Sequence, residues 1–312
     1  MKHKIVFVAK HKRSFVEQDL EILSHHYDVT RSVTKENVRD SDLVYCWFAS
    51  KHAVKPLRWA LHYNKPFVVV AGGYDVAIYE GEHPYGLPGH PLYRFIPRMV
   101  LENATRILAV SRYTQGDCEK ITRNHNIEYV PNGIPLYPQE KFDKEDIIIT
   151  VGFIDKVSYW RKGLDRFIHL ASLMPEYKFY HIGLVNYGKL PRPVLKTIRD
   201  APGNMEFLGY VDDLDEWYRK ARVYCQLSRY ESFGLSVIEA MNHGCMPVVA
   251  NSGALPEVVG DYGFVVGCDG FLPIEMGHAM NTPVKDDMYK WLSQYDIHVR
   301  EKRLVEILDG LL

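Results

Sequence analysis

The stretch RYESFGLSVIEAMNHGCMPVVA, Arg229 to Ala250, reads as a strand end, a short loop, a helix and a second strand. Within it Glu231 and Glu239 are separated by seven residues. With a helix start near Phe233 or Gly234, Glu231 lies in the loop ahead of the helix and Glu239 more than a turn along it. The amides of Phe233, Gly234 and Leu235 then sit at a helix N-terminus, where unpaired N–H groups and the dipole suit an anion such as a diphosphate. Gly234 lets that anion approach closely. Carboxylates are suited to accept hydrogen bonds from sugar or ribose hydroxyls. The ordinary reading makes Glu231 a helix cap and Glu239 a solvated side chain. The downstream runs Gly244-x-x-Pro247-Val-Val and Gly253-x-x-x-Glu257-Val-Val-Gly260 tip the balance toward function.

On either side of this stretch, short apolar runs alternate with amphipathic ones, the signature of βαβ units and a parallel sheet. In the first half the expected strands are Ile5–Ala9, Leu43–Phe48, Phe67–Ala71 and Arg106–Val110, with Tyr27–Thr30 and Glu128–Val130 as weaker ones. Helices are expected over Ser14–Ser24, His52–Tyr63, Leu92–Asn103 and Arg112–Asn124, with Ser111 as N-cap of the last. Pro131 to Asp146 carries three prolines and an Asn132-Gly133 turn, so it continues neither helix nor central strand. A domain boundary is expected there, giving residues 1–140 and 141–312. The second half repeats the pattern: strands at Ile147–Val151, Lys178–Ile182, Met205–Leu208, Val223–Leu227 and Met246–Ala250, helices at Leu164–Met174, Leu214–Ala221 and Leu235–His243. The closing stretch from Met288 is expected to add terminal helices to the second domain.

A chain of 312 residues suits two such domains. A net charge of -1 offers no global attraction to nucleic acid or an anionic membrane. Five scattered cysteines, Cys46, Cys118, Cys225, Cys245 and Cys268, stand in no metal-ligand spacing and fit a reducing cytoplasm. No stretch approaches the roughly 18 apolar residues of a membrane span. The expected protein is soluble and cytoplasmic, with peripheral membrane contact allowed. The fourteen histidines form no HExxH pattern, so no metal site is expected from them.

At this point the chain resembles the family 4 glycosyltransferases of the GT-B fold, whose hallmark is a Glu-x7-Glu pair in an E-x-F-G-L…E-A-M…G-x-P-V-V pattern. Gly244 and Pro247 stand one residue further apart than that spelling. Val130-Pro-Asn-Gly-Ile134, Thr150-Val-Gly152, Arg161-Lys-Gly163 and Phe207-Leu-Gly-Tyr-Val211 are similar to further family segments. The resemblance implies an α/β protein of two facing Rossmann-like domains with a cleft between them, the first on the acceptor side and the second binding donor. It implies a retaining, metal-independent transfer from a nucleoside diphosphate sugar, UDP- or GDP-linked, to a hydroxyl of a glycan or lipid-linked sugar, with no further cofactor. In that scheme Glu231 contacts the donor sugar, Glu239 the ribose, and Lys162 with Arg161 the diphosphate. Gly152, Phe233, Gly234, Leu235 and Tyr210 complete the donor site. An alternative is a nucleotide-sugar epimerase of the same fold, and another a non-catalytic sugar-nucleotide or glycan-binding protein.

The chain also departs from the pattern. Phe153 stands where family members often place an Arg, and Ser232 replaces a glycine. The first strand runs into Lys10-His-Lys-Arg13 where a glycine-rich loop is common. That basic loop suits an acceptor phosphate, or is an ordinary solvated charge run. Gly72-Gly73-Tyr74-Asp75 follows an apolar strand, and Gly73, Tyr74 and Asp75 are candidates for acceptor contact or for a purely structural turn. Asp213-Leu-Asp215 has the spelling of a metal-binding DxD, but Asp212 or Asp213 also suits a helix cap.

Overall fold

The computed structural model describes residues 2–80, 83–137, 142–267 and 272–312, so Cys268 and part of the expected linker lie outside the described residues. The chain divides into two compact units, Met1–Pro135 with Tyr295–Leu312, and Leu136–Gln294.

The first unit is built on a parallel sheet of β1 (Lys4–Val8), β2 (Asp28–Thr30), β3 (Leu43–Trp47), β4 (Phe67–Ala71), β5 (Arg106–Ala109) and β6 (Ile127–Tyr129), in the order β2-β1-β3-β4-β5-β6. β3 and β4 are buried along their whole length, which is why they read as unbroken apolar runs. The order reverses between β1 and β3. Ser111 caps the helix Arg112–Ile121 by accepting from Thr114 N.

The second unit holds β7 (Glu145–Val151), β8 (Lys178–Ile182), β9 (Met205–Gly209), β10 (Ala221–Gln226), β11 (Met246–Ala250) and β12 (Phe264–Val266), in the order β12-β11-β10-β7-β8-β9. Counted within the unit, this is the 3-2-1-4-5-6 order of doubly wound nucleotide-binding sheets. Its switch point, where such sheets bind ligands beyond the carboxyl ends of their strands, lies between β7 and β10.

β4, β8 and β11 fall on the expected residues, and the other expected elements shift at their ends by a few residues. Short helices such as Lys35–Asp40, Lys156–Arg161 and Arg192–Arg199 are additions, because one or two turns hold too few residues for a legible period.

The expected extent of the second domain needs correction. The division falls at Pro135/Leu136, and the last helix, Ile297–Asp309, belongs to the first unit. Its Arg300 is 3 % exposed and clamps the fully buried Asp19 with bonds of 2.6 and 2.8 Å. The same guanidinium donates to the carbonyls of Val130 and Pro131, while Tyr45 and Trp47 also donate to Asp19. Met288–Leu292 stays with the second unit, where Trp291 donates to Val258 O. Helical periodicity shows that a face is apolar, not which sheet it covers.

Candidate active site

β7 ends at Val151, Gly152 follows, and the helix Lys156–Arg161 is started by an Asp155–Ser158 capping box. Lys162 is the C-cap of this helix, and Gly163, at φ 69°, turns the chain into the helix Leu164–Leu173. Arg161 and Lys162 thus sit at the negative end of a short helix, which favours cations. The Lys162 stem lies over Gly152, where a Cβ would stand 2.7 Å from Cδ, so the close approach requires glycine.

The segment is tied to the end of β10. Arg229 pairs with Asp165 through bonds of 2.7 and 2.6 Å and donates to Trp160 O, while Arg229 N donates to Arg161 O. These bonds hold Arg161 and Lys162 against the loop that carries Glu231.

Glu231 Oε2 accepts from Gln226 Nε2 at 3.0 Å and from Arg161 at 3.4 Å, with Lys162 Nζ at 3.9 Å. Arg161, which sequence alone could not orient, thus points inward. Gln226 is itself fixed by Tyr224 and Ser236. Burial raises the Glu231 pKa, but the charges of Lys162 and Arg161 outweigh it and hold the carboxyl below its ordinary range. Burial also lowers the Lys162 ammonium, against the upward pull of Glu231.

Gly234, at φ 110°, is the N-cap of the helix Leu235–Asn242 and, as a glycine, offers no capping side chain of its own. Glu239, on this helix, accepts from Tyr218 Oη at 3.1 Å. Burial raises its pKa, the Tyr218 bond opposing. The two carboxylates are thus driven apart, Glu231 toward the ionised form and Glu239 away from it. Phe233 is buried, whereas Tyr210, after β9, is 71 % exposed and Phe153 is 46 % exposed.

In the first unit Gly73, Tyr74 and Asp75 follow β4. Asp75 is 1 % exposed, and its oxygens accept from the amides of Ala49, Gly72 and Gly73. Burial pushes its pKa up to about 6 against the pull of those amides. Asp75 braces its own loop, and of the three candidates it is Tyr74, at 46 % exposure, that presents a large side chain.

Asp213 Oδ1 accepts from Glu216 N at 2.9 Å and caps the helix Leu214–Lys220. Among the described residues no group of three or more His, Cys, Asp or Glu side chains has a geometry that could hold a metal ion.

Sequence reasoning missed Gln226, Tyr218 and the Arg229–Asp165 pair. Gln226 carried a signal, a polar residue at the end of the apolar run VYCQL. Asp165 and Arg229 lie 64 residues apart and gave none.

With this geometry in hand, family models decide the kinship. Residues 145–299 match the model described as glycosyl transferases group 1, and residues 7–137 match glycosyltransferase family 4. The chain belongs to the group 1, family 4 glycosyltransferases. It is 48 % identical over 65 residues to O-antigen chain mannosyltransferase B of Escherichia coli, covering 20 % of this chain and 17 % of that one. It is 30 % identical over 145 residues to mannosylfructose-phosphate synthase of Agrobacterium fabrum, covering 43 % of this chain and 32 % of that one. These matches span well under two thirds of either relative's length. HepE of Anabaena, solved in complex with UDP, superposes with a TM-score of 0.78 at 16 % identity, covering 99 % of this glycosyltransferase and 100 % of HepE. That likeness establishes the GT-B fold. No helix among the described residues is long and apolar enough to cross a membrane.

Proposed function

We propose that this protein moves a glycosyl group from a nucleoside diphosphate sugar, UDP- or GDP-linked, to a hydroxyl of a glycan or lipid-linked sugar, with retention and without a divalent metal. The observation that carries this reading is the convergence of Lys162 and Arg161 on Glu231 at the switch point of the second sheet, beside the Gly234-led N-terminus of Leu235–Asn242. Nucleotide-sugar use is supported by the UDP bound to HepE, and sugar transfer by the mannosyltransferase among the relatives.

The diphosphate lies on Lys162, Arg161 and the amides of Phe233, Gly234 and Leu235, where charge, guanidinium donors and helix dipole act together. Gly152, swept by the Lys162 stem, leaves room beside the phosphates, and Tyr210 meets the base. Arg161 supplies the second cation that Phe153 does not. Once the diphosphate shares those cations, Glu231 is free to accept from hydroxyls of the transferred sugar. Glu239 binds the ribose hydroxyls. Charge develops on the leaving diphosphate as the glycosidic bond breaks, and preorganised donors there stabilise it without reorganisation. The diphosphate oxygen takes the acceptor's proton on the same face, which gives retention. Tyr74 and Gly73 line the acceptor side. The four described cysteines, all free and buried, fit work in a reducing cytoplasm, with peripheral membrane contact where the acceptor is lipid-linked.

A thermal-shift panel of UDP, GDP and their sugars tests the reading, since a ligand bound only by the native state raises its apparent stability. One nucleoside diphosphate family should stand out; a flat panel would sink the proposal.

The two glutamates separate in binding. Glu239→Gln should weaken the free nucleoside diphosphate about threefold to tenfold, the worth of one ordinary hydrogen bond. It should not destabilise the apoprotein, because burial already disfavours the Glu239 charge. Glu231→Gln should spare the free nucleotide and penalise the sugar-bearing donor. Calorimetry giving the reverse order would exchange the two roles.

Metal independence has its own check. Initial rate after exhaustive EDTA treatment should match the untreated rate, and Asp213→Asn/Asp215→Asn should retain both turnover and stability, because an Asn oxygen accepts the capping bond from Glu216 N as the Asp213 oxygen does. Activity abolished by EDTA and restored by manganese would contradict it.

A further inference from the structure

Four consecutive basic residues, Lys10, His11, Lys12 and Arg13, follow β1, and all four are exposed. Among the described residues none of them takes part in an ion pair within 4.0 Å. The two acids nearest in sequence are engaged elsewhere, Glu17 with Arg31 and Asp19 with Arg300. Asp75, the acid of the adjoining loop, is buried and bound to backbone amides. The first sheet reverses its order between β1 and β3, so this unneutralised loop stands at that sheet's switch point.

Across the switch point, β3 runs into Phe48, whose φ of 74° is left-handed and strained for an aromatic residue. The strained backbone sets the ring against Gly72, where an added Cβ would lie 2.5 Å from Phe48 Cε1. The ring also meets Trp47 and Phe15, at centroid distances of 5.4 and 6.4 Å, and remains half-buried. Phe15 stands two residues beyond Arg13, so the aromatic cluster and the basic loop are neighbours. His52 is held by Trp47 O and Ser50 and feels the charges of Lys10 and His11. Burial lowers its proton affinity first and Lys10 and His11 lower it further, as neighbours of the same charge do.

A flat aromatic face takes the C–H side of a pyranose ring, and a group of lysines and an arginine takes a phosphate. We propose that Phe48 and the Lys10–Arg13 loop form a sugar-phosphate subsite in the first unit, so that the acceptor carries an anionic phosphate ester. The proposal rests on the transferase reading. It names the acceptor's chemistry, a phosphate on or next to the sugar, supplied by a soluble sugar phosphate or by a lipid-linked one.

Binding to the full chain is measured by saturation-transfer NMR and calorimetry, with UDP and GDP both saturating so that the donor site is filled. Glucose 6-phosphate should bind at least tenfold tighter than glucose, and K10A/K12A/R13A should abolish that preference. F48G, which removes the ring and relieves the positive φ, should weaken both sugars severalfold and leave the chain folded. Nucleotide thermal shifts should be unchanged in both variants, so a lost nucleotide shift in the parent chain indicts the transferase reading alone. A second arm adds phosphatidylglycerol vesicles: displacement of glucose 6-phosphate supports a lipid-linked phosphate, and no displacement supports a soluble one. Equal binding of glucose and glucose 6-phosphate, or a preference that survives K10A/K12A/R13A, overturns the subsite. Vesicle binding that needs the loop while glucose 6-phosphate fails to bind overturns it as well.

Discussion

Lys162→Ala should lower kcat by roughly 10²–10³-fold, the loss seen when one preorganised donor to a developing oxyanion is removed. The ammonium is held where it is needed by the glycine beneath its stem, by the Arg229–Asp165 clamp and by the end of its own short helix. KM should change less than kcat, because the leaving diphosphate gains charge only as the bond breaks. A second readout follows from Glu231. Its carboxyl is depressed because Lys162 and Arg161 outweigh the upward push of burial, so removing Lys162 lets its pKa rise. Stability from a depressed carboxylate is present above the ordinary carboxylate range and lost as pH falls through the depressed value. The variant should therefore lose that contribution at a higher pH than the parent, and the acid limb of its rate profile should move up too. Unchanged turnover in a folded Lys162→Ala protein would remove the lysine from the mechanism.

Arg300→Ala should be the most damaging single change to stability, at about 3–5 kcal/mol, because it leaves Asp19 charged, buried and short of its partner. Asp19 then keeps only Tyr45 and Trp47, and the carbonyls of Val130 and Pro131 lose a donor. The expected signature is local. Hydrogen exchange should show Ile297–Asp309 and the segment before β7 opening while the second sheet stays protected. Urea unfolding followed by a probe in the first unit measures the size, and a loss under about 1 kcal/mol would show that the buried pair does not anchor the helix.

Most strand positions were legible because both sheets are parallel, so buried apolar runs such as FVVVA at β4 stand out against amphipathic helices, whereas the three-residue β12 gave no such run. The carboxylate pair was legible because Glu231, Gly234 and Glu239 lie on one continuous loop and helix. The partners of that pair were less so. Gln226 and Tyr218 act through tertiary contacts, and the helix Lys156–Arg161 is too short to announce itself. Asp75 was open in sequence between acceptor contact and a structural turn, and its carboxylate accepts from the backbone amides of its own loop and of Ala49. The last helix was misassigned for a simpler reason, since Arg300 and Asp19 stand 281 residues apart and no local pattern links them.

The central claim is retaining transfer from a nucleotide sugar at the Lys162–Glu231 site. Its most direct test is the anomeric configuration of the product, read by NMR during turnover of the nucleotide sugar that gives the largest thermal shift. The account predicts a product with the anomeric configuration of the donor, formed by the parent chain and lost in Lys162→Ala. A product of inverted configuration would contradict it.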